Sequence, residues 1–414
     1  MSIREDALKI VDEAIKAVYP EDAVKRALQN FENEGTTKAL AIGKAAWRMA
    51  KAAKDSLGDR IFEGMVITKY GHSMGEIEGF EVFEAGHPVP DKNTIKATKR
   101  ALAMVKDLGQ EDRLLFLVSG GGSSLFELPA DNVRLKDLIS VTDRLLKCGA
   151  TILEMNAVRK HLSRVKGGRF AEIVKPARIC SLVLSDVLGN KLDAIASGPA
   201  YPDATTSEDA LRIIQKYGVK LPPTVLDALG KETPKTLDNV ESKIIGSINM
   251  ACEAAKRAAQ KLGYNSSILT ATLDGEAREA GAFISAMARE IVSRDRPAER
   301  PCAIILGGET VVQVKGTGLG GRNQELALSA ACGIEGLDNV VIASVATDGT
   351  DGPTDAAGGI VDGETIMRLR EKGVDMKEAL EDNDSYHALE AAGDLLTTGP
   401  TGTNVNDLII LLHN

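Results

Sequence analysis

A short apolar segment that runs into a glycine-rich loop constrains the fold of this chain more than any other feature. Five of the six residues from Leu114 to Ser119 are apolar. Such a run is typical of a strand buried in a parallel sheet. The loop that follows has the sequence SGGGSS and consists of Ser119, Gly120, Gly121, Gly122, Ser123 and Ser124. Because glycine lets backbone N–H groups approach a ligand, this loop is either a phosphate cradle or a turn with no ligand.

Length, charge and cysteine content limit the number of domains and the kinds of partner. Single cores stop growing near ~250–300 residues, so 414 residues predict two domains. A formal net charge of −9 argues against nucleic acid as the main partner. No apolar run approaches the ~18 residues of a membrane span, so we expect no membrane partner. Five scattered cysteines without a CxxC motif and an acidic, amphipathic N-terminus predict a cytoplasmic protein.

Strands and helices alternate along the chain, which predicts an α/β fold. The segment 219–240 is rich in proline, lysine and threonine, as expected of a linker or a peripheral excursion. We therefore place the domain boundary there and assign residues 1–238 to the first domain and residues 239–414 to the second. In the second domain, Val311–Lys315 alternates polar and apolar residues and is predicted to be a strand.

Charged side chains follow several of the predicted strands. Lys44 lies between the strand Lys38–Ile42 and an alanine-rich helix, and Asp186 follows the strand Arg178–Leu184. In open α/β sheets such positions converge on a crevice, where a lysine suits an anion and an aspartate suits Mg²⁺. A solvated lysine in the first turn of a helix is the alternative for Lys44. His87 ends another strand and is either a substrate-facing or a structural histidine.

One predicted helix carries a polar stripe. Asn156, Arg159 and Lys160 occupy positions i, i+3 and i+4, so they share one face of the helix Thr151–Arg164. Two cations and an amide on one face suit anion binding. A plain solvated face would give the same pattern, so both interpretations stay open at this point.

A dinucleotide-binding motif near residue 320 favours a different class of enzyme. Gly316–Gly321 satisfies GxGxxG between a predicted strand and a predicted helix, as in NAD(P)-dependent dehydrogenases. The predicted strand is polar rather than buried, however, and the helix opens with Arg322 and three further polar residues where the motif requires small ones. We therefore keep NAD(P) binding only as an alternative.

Glycine loops, cations and acidic side chains make up nearly all of the polar groups at these positions. The acidic ones also include Glu309, Asp348 and Asp351, and we find neither a Ser-His-Asp arrangement nor a metal-binding Cys/His set. Phosphoryl transfer needs backbone N–H groups and cations on the phosphates and carboxylates on Mg²⁺. The residues therefore predict a small-molecule kinase or a related phosphate-handling enzyme, and they do not identify its substrate.

The motifs taken together resemble those of one known family. In chain order they are AIGKAA, VSGGGSS, NAVRKHLSRVKGGR, LSDVLGN, IASGP, LGGETVVQVKGTGLGGRNQELAL, ATDGTDGPTDAAGG and TGPTGTNVNDL. Over essentially its whole length the chain resembles the glycerate 2-kinase family, the class with a C-terminal MOFRL domain. Some members of that class have been labelled hydroxypyruvate reductases. The resemblance implies a Rossmann-like first domain with a mainly parallel sheet and a MOFRL-type second domain with a mixed sheet. It also implies an active site in the cleft between the two domains and an N-terminal helix that packs on the second.

The same resemblance implies a reaction and its participants. The expected activity is the ATP- and Mg²⁺-dependent phosphorylation of D-glycerate to 2-phosphoglycerate, by a phosphotransferase with an alcohol group as acceptor. The alternatives are an NAD(P)-dependent hydroxypyruvate reductase and a non-catalytic sugar-acid binding protein built on the same folds. A homodimer is compatible with the sequence, which does not determine the oligomeric state.

Roles for individual residues follow from the resemblance position by position. Lys44 and Arg322 resemble the catalytic lysine and arginine of the family, and their charges would stabilise the transferring phosphoryl group. The loop Ser119–Ser124 would hold the nucleotide phosphates, together with Lys160 and with Asn156 nearby.

The carboxylates and the remaining cation complete this expected site. Asp186 would hold Mg²⁺ or accept the proton of the substrate hydroxyl. The second candidates for the metal are Glu309, Asp348 and Asp351. The carboxylate of glycerate needs a cation, and the candidates for that role are Lys44, Arg159 and Arg322.

Overall fold

The structure, a computed structural model, describes residues 2–414 and divides into two compact units. One unit is Pro20–Ile245, and the other joins the N-terminal stretch as far as Tyr19 to Gly246–Asn414. Each unit combines helices with a six-stranded sheet, in agreement with the predicted α/β fold. In the part of the chain that the structure describes, no helix is both long and apolar enough to cross a membrane.

Helix α1 (Ile3–Lys16) belongs to the unit that holds the C-terminus. Its apolar face is buried, with Ile10 fully enclosed. Arg4 on the same helix donates to Asp394 at 2.7 Å and to Asp362 at 2.8 Å. Burial of the apolar face and these two ion pairs together fix the helix in this unit.

The first sheet lies in the unit Pro20–Ile245. Its strands are β1 (Thr37–Ile42), β2 (Ile61–Lys69), β3 (Phe80–Ala85), β4 (Arg113–Val118), β5 (Arg178–Leu184) and β6 (Val240–Gly246). They are ordered β3-β2-β1-β4-β5-β6, and the pairings from β3 to β5 are all parallel. This is the strand order of a Rossmann-like sheet. Strand β6 lies within the residues that we assigned to the second domain, but it forms an edge of the first sheet. Its alternating, half-exposed residues carry no signal of which sheet they join.

Nine α-helices and three short 3₁₀ turns complete the part of this unit that the structure describes. The helices are α2 (Pro20–Ala27), α3 (Ala46–Leu57), α4 (Lys92–Val105), α5 (Gly122–Leu125), α6 (Leu135–Lys147), α7 (Ile152–His161), α8 (Arg169–Val174), α9 (Ser207–Lys216) and α10 (Pro223–Leu229). On β4, the ring centroid of Phe116 lies 5.1 Å from the ring centroid of Phe170 and 6.2 Å from that of Phe126. The glycine-rich loop therefore follows directly after a strand, β4, that is anchored in a packed aromatic core.

A buried ion pair supports the segment just after the glycine-rich loop. Lys166 Nζ lies 2.8 Å from Glu127 Oε2 and donates to the carbonyl of Phe126 at 2.9 Å. Ser163 donates to the other carboxylate oxygen of Glu127 at 2.6 Å. Both charged side chains are fully buried, and burial lowers the pKa of Lys166 to about 8. The amine therefore keeps most of its charge at neutral pH and neutralises Glu127.

Lys166→Met is expected to lower the free energy of unfolding by about 3–5 kcal/mol, because it leaves the charge of Glu127 buried without its partner. Urea unfolding followed by circular dichroism measures this loss. The matched control is the double variant Lys166→Met/Glu127→Gln, which removes both charges and should recover much of the stability. A single variant that unfolds at the same urea concentration as the wild type would contradict this account of the pair.

The second sheet is mixed, as expected. Its strands are β7 (Asn265–Leu273), β8 (Cys302–Gly308), β9 (Val340–Ala346), β10 (Gly358–Asp362), β11 (Leu395–Leu396) and β12 (Asp407–His413), in the order β11-β10-β9-β12-β8-β7. β7 and β8 are parallel and the other pairings are antiparallel. Every residue of β8, β9 and β12 is buried. The helices of this unit after α1 are α11 (Ile248–Lys261), α12 (Ala277–Arg294), α13 (Arg322–Gly333), α14 (Thr365–Glu371), α15 (Met376–Glu381) and α16 (Ser385–Ala392).

Candidate active site

Two loops meet at the carboxyl edge of the first sheet, where β1 and β4 are neighbours. Lys44 N donates to the carbonyl of Gly120 at 2.8 Å, and Ala45 N donates to the hydroxyl of Ser119 at 3.1 Å. Gly43 has a φ of +113°, and a Cβ there would collide with the carbonyl oxygen of Ser119. Only glycine allows this approach. The strand order reverses between β1 and β4, and doubly wound sheets bind their ligands at such a switch point.

Polar side chains pack against two glycines of the SGGGSS loop. A Cβ on Gly120 would collide with the carboxylate of Asp186. A Cβ on Gly121 would lie 3.0 Å from Nε2 of His87 and 3.3 Å from Cγ of Lys44. The structure therefore brings together the predicted lysine, loop and aspartate. It adds His87, which the sequence left open between a structural and a substrate-facing role.

The far end of the loop is connected to helix α7. Ser123 Oγ lies 2.7 Å from Ser197 Oγ, and Ser197 donates to Oδ1 of Asn156 at 3.3 Å. The predicted Asn156 thus reaches the loop through a serine that the sequence analysis did not single out. The signal available for Ser197 is its place in the IASGP motif, in an irregular segment where its φ is +59°.

The two cations of α7 have different surroundings. Lys160 is buried, and its Nζ lies 3.2 Å from Asp203 and 3.4 Å from Asp193. Its charge is therefore balanced within the protein, and its assignment to the nucleotide phosphates stays a prediction. Nε of Arg159 is buried without a hydrogen-bond partner among residues 2–414. Burial lowers the pKa of Arg159, and the nearby charge of Glu127 opposes this shift.

Arg322 opens α13 in the other unit and is held by two carboxylates. Nε and Nη2 donate to Asp407 at 2.6 Å and 3.1 Å, and Nη1 donates to Glu309 at 2.9 Å. The bidentate contact fixes the plane of the guanidinium. Burial raises the pKa of Asp407 to about 6, although Arg322 opposes the shift. Asp407, which holds Arg322, was not predicted from the sequence, although the TNVNDL motif contains it.

The raised pKa of Asp407 predicts a pH dependence of activity. Below about pH 6 Asp407 is protonated, although an ordinary aspartate is still ionised there. Arg322 then loses the charge of its bidentate partner and keeps only that of Glu309. We expect kcat/KM to fall as the pH drops through 6. In Asp407→Asn this acidic limb should be absent, and kcat/KM at pH 8 should be up to about 10²-fold lower because the guanidinium is less well positioned. Rate profiles of the two proteins between pH 5 and 9 measure both effects. An unchanged acidic limb in the variant would contradict the assignment.

The other predicted metal carboxylates of this unit bind the protein itself. The buried carboxylate of Asp351 accepts hydrogen bonds from Asn323 N at 3.2 Å and Gln324 N at 2.9 Å, which caps α13. Asp348 accepts a hydrogen bond from Thr350 N at 3.1 Å. Within residues 2–414 no group of three or more His, Cys, Asp or Glu side chains is placed to hold a metal ion. Because both carboxylate oxygens of Asp351 accept hydrogen bonds from the first turn of α13, we do not propose this residue as a metal ligand.

The GxGxxG loop is folded against a neighbouring turn. Thr317 N donates to Asp382 at 2.8 Å, and Leu319 N donates to Asp384 at 2.9 Å. A Cβ on Gly316 or Gly318 would collide with the same turn. The glycines therefore allow two stretches of backbone to pack closely, and protein carboxylates occupy N–H groups that a pyrophosphate would need.

The segment before this loop is not the strand that the sequence predicts. Within Val311–Lys315 only Val311 pairs, in an isolated bridge with Glu276. Gln313 N donates to the side chain of Glu276 at 3.0 Å, and Lys315 N donates to that of Asn383 at 2.7 Å. The prediction was wrong because side chains, rather than a neighbouring strand, satisfy this backbone. A Rossmann dinucleotide site needs a strand at this point, so the NAD(P) alternative loses its structural basis.

Comparisons with known proteins match both parts of the chain. Residues 6–230 match a domain of unknown function (DUF4147), and residues 302–407 match the MOFRL family. A D-glycerate 2-kinase from Thermotoga maritima is 57% identical over 409 residues, covering 99% of this chain and 98% of that protein. The crystal structure of a glycerate kinase (EC 2.7.1.31) from the same organism has a TM-score of 0.97 at 57% identity and covers 99% of both chains. A putative hydroxypyruvate reductase from Agrobacterium vitis is 40% identical over 419 residues, covering 100% of this chain and 95% of that protein.

Proposed function

The chain belongs to the glycerate 2-kinase family, and from this premise we propose how its own residues bind the substrates and transfer the phosphoryl group. It is a glycerate 2-kinase, a phosphotransferase with an alcohol group as acceptor and a nucleotide as donor. The observation that carries the proposal is the packing of Lys44 against the glycine-rich loop at the switch point of the first sheet.

The donor nucleotide in this proposal is ATP, and the loop Ser119–Ser124 binds its phosphates. The chemistry of the loop fits a phosphate group, because it combines backbone N–H groups with the adjacent side chain of Lys44. The hydroxyls of Ser119 and Ser124 donate to the carbonyls of Ile42 and Gly121 and stabilise the loop itself. Glycine at 120 and 121 lets the carboxylate of Asp186 and the side chains of His87 and Lys44 lie directly against the loop backbone, where the phosphates would bind. Asn156 supports the far end of the loop through its contact with Ser197.

Mg²⁺ fits the same edge of the sheet. The carboxylate of Asp186 packs against Gly120, and carboxylate oxygens are the ligands that Mg²⁺ prefers. A Mg²⁺ ion held by Asp186 would supply positive charge to offset the negative charge that develops on the phosphates during transfer. Glu309 and Asp348 are the further candidates, in the other unit.

Lys44 and Arg322 supply the positive charge that the reaction needs. Lys44 stabilises the negative charge on the transferring phosphoryl group. Arg322 presents a guanidinium whose plane Asp407 fixes, which suits a planar, bidentate contact with a phosphoryl group or with the carboxylate of D-glycerate. Arg159, whose buried Nε has no hydrogen-bond partner among residues 2–414, is the other candidate for that carboxylate.

We place the reaction in the cytoplasm on the basis of the cysteines. All five thiols are free. Burial raises the pKa of Cys180 to about 11 and that of Cys252 to about 12, so these two are unreactive packing groups. Thiols of this kind are typical of a reducing compartment.

A pair of assays tests the proposed function. The purified protein is incubated with D-glycerate, ATP and Mg²⁺, and in parallel with hydroxypyruvate and NADH. We expect release of ADP that requires both D-glycerate and Mg²⁺, and no oxidation of NADH. Oxidation of NADH without nucleotide turnover would overturn the proposal in favour of a reductase. Binding of D-glycerate without any turnover would overturn it in favour of a non-catalytic binding protein.

A further inference from the structure

His87 is held on a rigid turn at the edge of the proposed nucleotide site. It follows strand β3 in the turn Gly86–Asp91, and Asp91 caps α4 by accepting a hydrogen bond from Thr94 N at 2.9 Å. Tyr70 donates to the other carboxylate oxygen of Asp91 at 2.6 Å. Because strand β3 and the cap of α4 fix the two ends of the turn, the backbone of His87 is held at this edge of the sheet.

The imidazole lies against the phosphate loop and beside the proposed catalytic lysine. The point 3.0 Å from Nε2 of His87, where a Cβ of Gly121 would stand, is also 3.3 Å from Cγ of Lys44. The ring is half-buried, and within residues 2–414 no group hydrogen bonds to either of its nitrogens. The neighbouring His72 differs, because its Nδ1 lies 3.2 Å from the carbonyl oxygen of Lys44. Of the two histidines at this edge, His87 is thus the one whose ring lies beside Gly121 of the loop and has neither nitrogen engaged by the described residues.

The surroundings of His87 keep the ring neutral. Burial lowers the pKa of His87 to about 4, with smaller contributions in the same direction from Lys44, Lys69 and His72. A neutral imidazole can accept a hydrogen bond from a hydroxyl group. The two nearby lysines also mean that an anion bound at this edge offsets their charge, which makes the ring more basic when substrates are present.

We propose that His87 is a further catalytic residue. Its Nε2 accepts a hydrogen bond from the 2-hydroxyl group of D-glycerate and takes the proton of that hydroxyl during phosphoryl transfer. This inference rests on the proposed function. In the step, the hydroxyl oxygen forms a bond to the γ-phosphorus while the bond from that phosphorus to the β-phosphate oxygen breaks. ADP leaves with that electron pair, and the hydroxyl proton passes to Nε2 and then to water. Asp186 is left to hold the metal ion.

The test compares His87→Ala and His87→Asn with the wild type, using D-glycerate, ATP and Mg²⁺. We expect kcat to fall by about 10²–10³-fold in both variants, with KM for either substrate changing less than about threefold, as for the loss of a proton acceptor. Added imidazole should restore part of the rate in His87→Ala, which a merely structural histidine would not permit. The control is His387→Asn, since that side chain is exposed in the other unit.

The possible failures of this experiment are distinguishable. If the wild type does not release ADP, the proposed function fails. If the wild type is active and both His87 variants keep kcat within threefold, or lose it without rescue by imidazole, the role of His87 alone is overturned. Should the variants fold poorly, NMR of the wild type labelled at its five histidines gives a second measurement. Adding D-glycerate with a non-hydrolysable ATP analogue should raise the pKa of the His87 ring, and an unchanged titration would overturn the role.

Discussion

Lys44→Ala is expected to lower kcat by about 10²–10³-fold, the typical effect of removing one group that stabilises charge in a transition state. The backbone of Lys44 is fixed independently of its side chain, because its N–H donates to Gly120 and its carbonyl accepts from His72. Truncation should therefore leave the loop in place and remove only the amine. Steady-state kinetics with D-glycerate and ATP measure the loss, and the melting temperature should stay close to that of the wild type.

The matched control for this variant is Lys51→Ala. Lys51 lies on helix α3, just after Lys44 in the chain, and forms an exposed ion pair with Asp55. Exposed pairs of this kind contribute little to stability, and this lysine is not part of the proposed site. We expect wild-type kinetics. Equal losses in the two lysine variants, or full activity in Lys44→Ala, would contradict the role of Lys44.

Arg322→Ala is expected to have the larger effect, a fall in kcat of about 10³–10⁵-fold, as for arginines that stabilise a transferring phosphoryl group. Asp407 and Glu309 both lose their partner in this variant. The buried Asp407, whose pKa is already raised to about 6 by burial, can then take up a proton instead of holding an unpaired charge. We therefore expect the loss to lie mainly in activity. Steady-state kinetics and thermal unfolding of the same preparation distinguish a loss of activity from a loss of stability.

The variant Arg322→Lys tests whether Arg322 acts through its positive charge alone or also through the geometry of its contacts with Asp407. Lysine keeps the positive charge but cannot make the two parallel contacts with Asp407, so we expect it to restore only a small part of the lost rate. Arg370→Ala is the control, since Arg370 is exposed and pairs with Glu335 on the surface of the same unit. Full recovery in the lysine variant would mean that charge alone matters and that the Asp407 contact is incidental.

Local sequence patterns were sufficient to predict the structure where a single strand and the loop after it determine the local geometry. The apolar run that begins at Leu114 does form a buried strand, and glycine follows it because the loop must approach β1 closely. Lys44 and Asp186 were predicted to lie close to the loop because both follow strands that end at the same edge of a parallel sheet, and the structure places them there. The carboxyl ends of parallel strands meet there, so this part of the site follows from the order of the elements alone.

Contacts between distant segments could not be read from the sequence. The bidentate partner of Arg322 is Asp407, 85 residues later in the chain. The N–H groups of the GxGxxG loop are bound by Asp382 and Asp384, 65 residues later, and no local pattern reveals that they are occupied. The same limit applies to His87, because its contact with Gly121 depends on how the four strands β3, β2, β1 and β4 lie side by side.

The most direct test of the account is the identity of the product made from D-glycerate. Phosphorus-31 NMR of the completed reaction with ATP and Mg²⁺, compared with standards of 2- and 3-phosphoglycerate, resolves the position of the new phosphate ester. We predict 2-phosphoglycerate and an equal amount of ADP from the wild type, and neither from Arg322→Ala on the same timescale. A product phosphorylated at the 3-hydroxyl, or no phosphate ester at all, would contradict the account.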